Sequence, residues 1–187
     1  MKAIIKNIIC FAYTNIKFIF IKIFHFNTFR YSVLSFCSPF SEIDIRHGKL
    51  IMSRNLKIRS NSHIRVRKNA KLSLGENFSM NYGCLVVAHD SISIGRDVIL
   101  GPNVLIYDHD HDFSKKIIEN KFTTAPVKIG NNVWIGANTV ILKGTEVGDN
   151  VVIGASCVIK GKIEDNSVIV QKRETINLIN RNQEHID

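Results

Sequence analysis

The sequence has no Cys-x-x-Cys pair. Its four cysteines, Cys10, Cys37, Cys84 and Cys157, are separated by long, irregular stretches. That spacing argues against a zinc ribbon or a disulfide framework and fits a reducing cytoplasm. The apolar start of the chain also lacks a membrane-spanning run. In "MKAIIKNIICFAYTNIKFIFIKIFHF" lysines interrupt at 2, 6, 17 and 22. The longest uncharged run there, Asn7 to Ile16, is far short of the roughly 20 residues of a span. No small-residue cleavage site follows, so no secretory signal is expected. Acidic residues are scarce early on. Residues 1–72 hold 14 Lys/Arg against 2 Asp/Glu, whereas residues 73–187 hold 11 against 14. The basic part should therefore face something anionic, a membrane surface or an acidic glycan. No nucleic-acid-binding motif accompanies the charge, so nucleic acid is not the expected partner.

With 187 residues, the chain is long enough for one sizeable domain and an appendage. The appendage is the N-terminal segment, residues 1–41. On a helical wheel Lys2, Lys6, Tyr13 and Lys17 fall within about 60° of one another, and the rest is mostly Ile and Phe. Two readings stay open. The helix lies on an anionic membrane, as a peripheral contact at its inner face. Alternatively it packs on its own protein or a neighbouring subunit, with its lysines outward.

From residue 129 an aliphatic side chain recurs every six positions: Ile129, Ile135, Ile141, Val147, Ile153 and Ile159. Glycine usually follows, as Gly130, Gly136, Gly148 and Gly154; Leu142 and Lys160 are the exceptions. Four residues after each aliphatic stands a second small or branched side chain: Val133, Thr139, Thr145, Val151, Cys157 and Ile163. A six-residue period fits neither a helix nor a two-sided strand. It predicts a solenoid in which each hexad forms one side of a triangular coil and three hexads close a turn. Gly, Asn and Asp relax the backbone at the corners. The pattern continues upstream through Leu74, Met80 and Val86, slips by two residues, and resumes at Ile94, Leu100 and Ile106. Ile58 and Ile64 also fit, so residues 42–170 form the β-helix and 171–187 a polar tail. Between Ile106 and Val127 the period vanishes, which predicts a long loop, about 107–126, extruded from a corner. At its base stands "YDHDHDF", Tyr107 to Phe113.

The run "VKIGNNVWIGANTVILKGTEVGDNVVIGASCVI" closely resembles the hexapeptide-repeat acyltransferases, in the branch that acetylates galactosides, maltose, antibiotics and capsule or O-antigen sugars. The resemblance covers roughly residues 55–170. It implies a left-handed parallel β-helix, a homotrimer, and acetyl-CoA held as co-substrate in the groove between two prisms. It implies a carbohydrate acceptor and a histidine general base. His111, seven residues past Val104, occupies the family's position for that base, and His109 is the alternative. Asn81, one coil earlier and ahead of the Ile94-Gly95 step, matches an asparagine that orients the acceptor or stabilises charge. Trp134 matches a tryptophan lining the site, and Ala137 and Ala155 match positions whose amides face the coenzyme. The family's terminal "GNPAK" reads "VQKRET" here, and its "TKD" reads Lys160-Gly161-Lys162. The coenzyme phosphates are then left to Lys160, Lys162, Lys172 and Arg173.

Acetyl transfer to a hydroxyl needs a base because a hydroxyl attacks poorly until its proton leaves. A neutral imidazole does this well, typically by 10²–10⁴-fold. Asp108, Asp110 or Asp112 would orient the histidine, and the sequence does not select among them. A metal site is the second reading of the cluster, but in an extended strand His and Asp point to opposite sides. His63, His89, His109 and His111 also do not reproduce the three-histidine zinc site of the γ-class carbonic anhydrases. A solvated acidic loop is the third reading. His25, His47, His63, His89 and His185 are expected to be structural or exposed. The leading function is an acetyl-CoA-dependent O-acetyltransferase acting on a sugar hydroxyl of a surface polysaccharide or its precursor, with no metal. Acetylation of an antibiotic or amino sugar is the enzymatic alternative. A non-catalytic trimeric scaffold or glycan-binding module is the alternative of another class.

Overall fold

The computed structural model describes residues 2–114, 116, 119 and 121–172, with side chains from Ile8 onward. One helix, α1 (Lys2–Phe24), precedes an all-parallel solenoid of about six turns, a left-handed β-helix. Its three walls are parallel sheets. The first wall stacks Phe29–Arg30, Lys49–Met52, Lys71–Leu74, Ser91–Ile94, Val127–Ile129, Glu146–Val147 and Lys162–Ile163. The second stacks Phe36–Cys37, Lys57–Ile58, Ser79–Met80, Ile99–Leu100, Trp134–Ile135, Val152–Ile153 and Val168–Ile169. The third stacks Glu42–Ile45, His63–Val66, Leu85–Ala88, Leu105–Tyr107, Val140–Ile141 and Val158–Ile159. Along the chain these strands visit the walls in turn, so three close a coil.

The hexad positions fill the prism. All the aliphatics from Ile129 to Ile159, and the second positions from Val133 to Cys157, are buried. Ile163 is buried too, but it pairs with Val147 and so takes an aliphatic position rather than a second one, because the last coil is two residues shorter. Each large one contributes roughly 1.5–3 kcal/mol relative to exposure. At the corners the backbone enters the left-handed region, and asparagine is the residue that most often takes it, as at Asn55, Asn77, Asn132 and Asn150. Its short amide tolerates positive φ. The amides then bond coil to coil: Asn55 to Asn77, Asn77 to Asp97, Asn132 to Asn150 and Asn150 to Asn166.

Strand pairing shows that the coils shorten along the chain. Leu50 pairs with Leu72 and Leu72 with Ile92, whereas Lys128 pairs with Glu146. The corner amides follow the same trend: the sequence separation is 22 from Asn55 to Asn77, 20 from Asn77 to Asp97 and 18 from Asn132 to Asn150. The surplus lies in four-residue strands of the first and third walls. Each carries two inward side chains, for example Leu72 with Leu74 and Ile64 with Val66. The same widening explains the slip after Val86, where Ala88 and Ile92 both point into the core.

The solenoid also starts before residue 42. Phe29–Arg30 and Phe36–Cys37 already pair with Lys49–Met52 and Lys57–Ile58. Their inward residues are Phe29 and Cys37, which an aliphatic pattern does not single out. The helix α1 lies across this first coil. Phe18 is fully buried, edge-on to Phe29 at 5.7 Å and to Tyr31 at 5.2 Å. Thr14 Oγ1 accepts the Cys37 N–H at 2.9 Å, standing in for a strand that the second wall lacks at this end. The helix packs on its own protein, but Lys17 and Lys22 do not point outward. The Lys17 ammonium donates to Ser41 O at 2.6 Å, and that of Lys22 to Phe29 O at 2.6 Å and to Phe26 O. The end of a solenoid leaves carbonyls unpaired, and these ammonium groups satisfy them. The side chains of Lys2 and Lys6, and the tail from residue 173, lie outside the described residues. Among the described residues no helix is long and apolar enough to cross a membrane.

Candidate active site

The excursion leaves the prism at the third corner, between Leu105–Tyr107 and Val127–Ile129. Its base is ordered. His109–His111 and Phe122–Thr124 form an antiparallel ladder, with His109 opposite Thr124 and His111 opposite Phe122. The two-residue alternation of a strand puts both histidines on one side and Asp110 on the other. Both imidazoles lie against Phe122, with ring centroids 5.3 Å and 4.7 Å away. Asp110 instead meets Lys143 of the next coil at 3.3 Å.

Asp108 anchors this hairpin. Its carboxylate is fully buried, accepts the backbone N–H groups of His89 and Asp90 at 2.8 Å each, and lies 3.2 Å from His109 Nδ1. Burial pushes the carboxyl up, but the His109 hydrogen bond and the two amides outweigh it and hold Asp108 below the usual carboxylate range. A carboxylate so held takes the Nδ1–H of His109 and leaves Nε2 as the free nitrogen. Of the three aspartates, Asp108 is therefore the one that orients a histidine, and that histidine is His109. Asp112 accepts from Ser114 N at 3.1 Å and Ser114 Oγ at 2.6 Å. The His109 side chain is 12% exposed, whereas His111 is open to solvent. Among the described residues no three His, Cys, Asp or Glu side chains converge as a metal site would require.

His89 belongs to this cluster, although its sequence context suggested only a structural role. Its ring stacks on His109 with centroids 3.8 Å apart and meets Phe122 edge-on at 4.5 Å. Burial first, then the neighbouring His109, pushes the His89 imidazole down to about 4, against the opposing pull of Asp108. At neutral pH it is an uncharged platform under His109. The available signal was the coil length. Val87 pairs with Tyr107, so the two-residue step to His89 falls beneath the same step to His109.

The remaining candidates lie elsewhere on the prism. Asn81 follows Ser79–Met80 at the second corner, where its Oδ1 accepts the Tyr82 N–H at 2.9 Å. Ala137 and Ala155 occupy the same corner in later coils, and Trp134, 55% exposed, stands on the adjoining second wall. A Cβ on Gly101 would come within 2.7 Å of Ala137 N, and one on Gly136 within 2.4 Å of Ala155 N. Glycine is therefore required where these coils stack. Neither alanine amide donates to an acceptor among the described residues. Lys172 continues this corner: it follows Gln171, whose side-chain oxygen accepts the Val158 N–H at 2.8 Å and closes the third wall. Lys160 stands at the third corner instead, and Lys162 on the first wall, paired with Glu164 at 2.8 Å. Arg173 lies outside the described residues. Within one chain, then, Asn81, Trp134, Ala137 and Ala155 gather at the second corner and the histidines at the third. The third wall lies between them, and a four-residue strand spans about 13 Å.

Residues 126–161 match the family described as bacterial transferase hexapeptide (six repeats). The chain is 35% identical over 100 residues to galactoside O-acetyltransferase of Escherichia coli (strain K12), covering 53% of this chain and 49% of that protein. It is 29% identical over 136 residues to the putative lipopolysaccharide biosynthesis O-acetyl transferase WbbJ of the same organism, covering 56% of this chain and 69% of that protein. The chain spans about half the length of the first curated relatives it matches. Among solved structures, AntD, an N-acyltransferase from Bacillus cereus in complex with dTDP and coenzyme A, superposes with a TM-score of 0.67. The match covers 79% of this chain and 82% of that one at 17% identity, a likeness of fold.

Proposed function

We propose that this chain is a hexapeptide-repeat transferase, an acetyl-CoA-dependent O-acetyltransferase acting on a sugar hydroxyl of a surface polysaccharide or its precursor; the match over residues 126–161 supports the family. The observation that carries this reading is the His109–His111 hairpin, held at the third corner by buried Asp108. The relatives named for galactoside and lipopolysaccharide O-acetylation support the chemistry and the acceptor class.

His111 is the general base. It is the solvent-open imidazole of the pair and can reach a hydroxyl that His109, wedged between Asp108 and His89, reaches less easily. When bound, acetyl-CoA supplies an activated acetyl thioester. The imidazole of His111 takes the acceptor hydroxyl's proton as the new ester C–O bond forms, and later gives it to the departing thiolate. His109 and Asp108 hold the hairpin in register. A second reading makes His109 the base, because its tautomer is the one fixed by a carboxylate.

The acceptor-side residues and the base meet between two copies. The outer faces of the second and third walls carry Ile99, Trp134, Val168 and Val158, each about half exposed or more, whereas the first wall carries ion pairs such as Lys128–Glu146. A closed trimer covers both apolar faces and brings the second corner of one chain to the third corner of the next. Ala137, Ala155 and Lys172 then hold the coenzyme from one side and Lys160 from the other. Incubating the intact chain with acetyl-CoA and a panel of glycans tests the proposal. Thiol release that depends on a glycan, with a matching O-acetyl mass on that glycan, is expected. Thiol release independent of every glycan, or acetylation of amino sugars alone, would overturn it.

A further inference from the structure

The first coil and α1 form an end surface unlike the rest of the molecule. Along α1 the outward side chains are Ile9, Ile16, Ile19, Phe20, Ile23 and Phe24, all more than half exposed. They share one broad face of the helix at about 100° per residue. Among the described side chains of α1, the two lysines, Lys17 and Lys22, are folded back onto carbonyls. Phe26 and Phe40 extend the apolar surface past the helix, at 73% and 75% exposed. A mainly apolar groove of about 520 Å³ between the helix and the first coil continues it; Tyr13, Ile16, Phe20, Ile21 and Ile43 line it together with Lys17 and Glu42, the latter engaged by His63.

A cationic rim surrounds this surface. Arg30, Lys57, Lys68 and Lys71 are exposed on the walls and corners of the first three coils. The only carboxylates before residue 73 are Glu42 and Asp44. Both are engaged: Glu42 with His63 at 2.7 Å and Arg65 at 3.5 Å, Asp44 with Arg67 at 2.9 Å and Arg46 at 3.1 Å. A second copy meeting this end would set cationic rim against cationic rim. Anionic headgroups over an apolar interior complement both the rim and the centre.

We propose that this end of the prism docks on the surface of an anionic phospholipid bilayer, with the outer face of α1 buried at the headgroup boundary and the basic coils over the headgroups. The docking is independent of the chemistry proposed for the hairpin. It holds that corner three coils away from the docked end, about 15 Å further from the bilayer.

The test is cosedimentation of the intact chain with phosphatidylglycerol-containing vesicles, with pure phosphatidylcholine vesicles as the comparison. Binding to the anionic vesicles alone is expected, weakening as salt rises. Replacing Ile16→Ser together with Phe20→Ser should lower the affinity by at least ~10-fold, since each side chain leaves an apolar phase. Replacing Arg30→Gln together with Lys68→Gln should lower it by ~5-fold or more and flatten the salt dependence. Should the serine variant not fold, the charge variant and the salt dependence of the wild type decide the matter. Three results would overturn the proposal. One is a wild type that stays in the supernatant at low salt, and another is a charge variant that binds as the wild type does. The third is α1-dependent self-association in place of lipid binding, which would give this face to a second copy.

Discussion

The two ends of the prism follow one rule with different dimensions. From Val127 onward a turn takes three hexads until the last coil, which is two residues shorter, and strands such as Trp134–Ile135 carry one inward aliphatic. Polar pairs such as Lys128–Glu146 tie the first wall outside. In the coils before Ser91 each turn is longer, four-residue strands carry two inward side chains, and the outside is basic. In both, the inward side chains are buried. The hexapeptide period is therefore a property of the narrow prism and not of the coil itself. The histidine hairpin leaves the prism where the wide end gives way to the narrow one. The ends are closed by different means but to the same effect: Thr14 pairs with Cys37 at one, and the Gln171 amide with Val158 at the other.

The largest expected effect falls on the hairpin at this junction. His111→Ala should lower kcat by at least ~10²-fold in steady-state assays while the protein stays folded, the lower end for loss of a general base. His109→Ala should cost much less. If His109→Ala does the greater damage, the base is His109 and Asp108 is its direct partner.

The next effect sharpens the comparison of the interiors. Leu72→Ala in the wide end and Ile135→Ala in the narrow end should each destabilise by about 2–5 kcal/mol in denaturant unfolding, because both side chains are fully buried. A cost at the wide end well below this range would mean that its longer coils are loosely packed. A smaller effect separates two glycines of the narrow end. Gly136→Ala should cost about 1–3 kcal/mol, since the added carbon sits 2.4 Å from Ala155 N. At Gly161, where φ is +90° and no atom lies within 4 Å, alanine should cost only the backbone strain, about 1 kcal/mol.

The smallest effect belongs to His89. Its folded imidazole is pushed down to about 4 from an ordinary 6.5. A histidine lowered in this way contributes fully to stability above about 6.5 and loses that contribution as pH falls toward about 4. Because His89 is only partly buried, solvent screening limits the loss to no more than about 1 kcal/mol, or ~2–4 °C in Tm. Thermal melts of His89→Phe should lack this acid-dependent drop; an unchanged drop would place its cause elsewhere.

The narrow end was legible in the sequence because each hexad there contributes the same two inward residues. Ile129 to Ile159 could be placed one by one, whereas Ile163 was assigned to a second position and instead pairs with Val147, since the last coil drops two residues. The wide end was legible only in part. An extra inward residue per strand breaks the six-residue step, so Ala88 and Ile92 read as a slip, and the first coil's Phe29 and Cys37 fell outside the pattern. The hairpin's position followed from the missing period, and the clustering of His109, His111 and Asp108 from the motif. His89 did not, since its place depends on a widened coil that only the strand register reveals. The inward turn of Lys17 and Lys22 was hidden for a related reason: it answers unpaired carbonyls at the end of a stack, which no helical wheel displays.

In the proposed acetyl-transfer site the second corner of one chain meets the third corner of another. Mixing subunits distinguishes this from a site within one chain. Asn81→Ala and His111→Ala are each expected to be severely impaired alone. Co-expressed in equal amounts, they should form mixed trimers in which a chain with an intact His111 meets one with an intact Asn81. Random assembly of a cyclic trimer then restores about a quarter of wild-type activity. Activity no higher than the sum of the two parents, from trimers shown to be mixed, would rule out a shared site and confine it to a single chain.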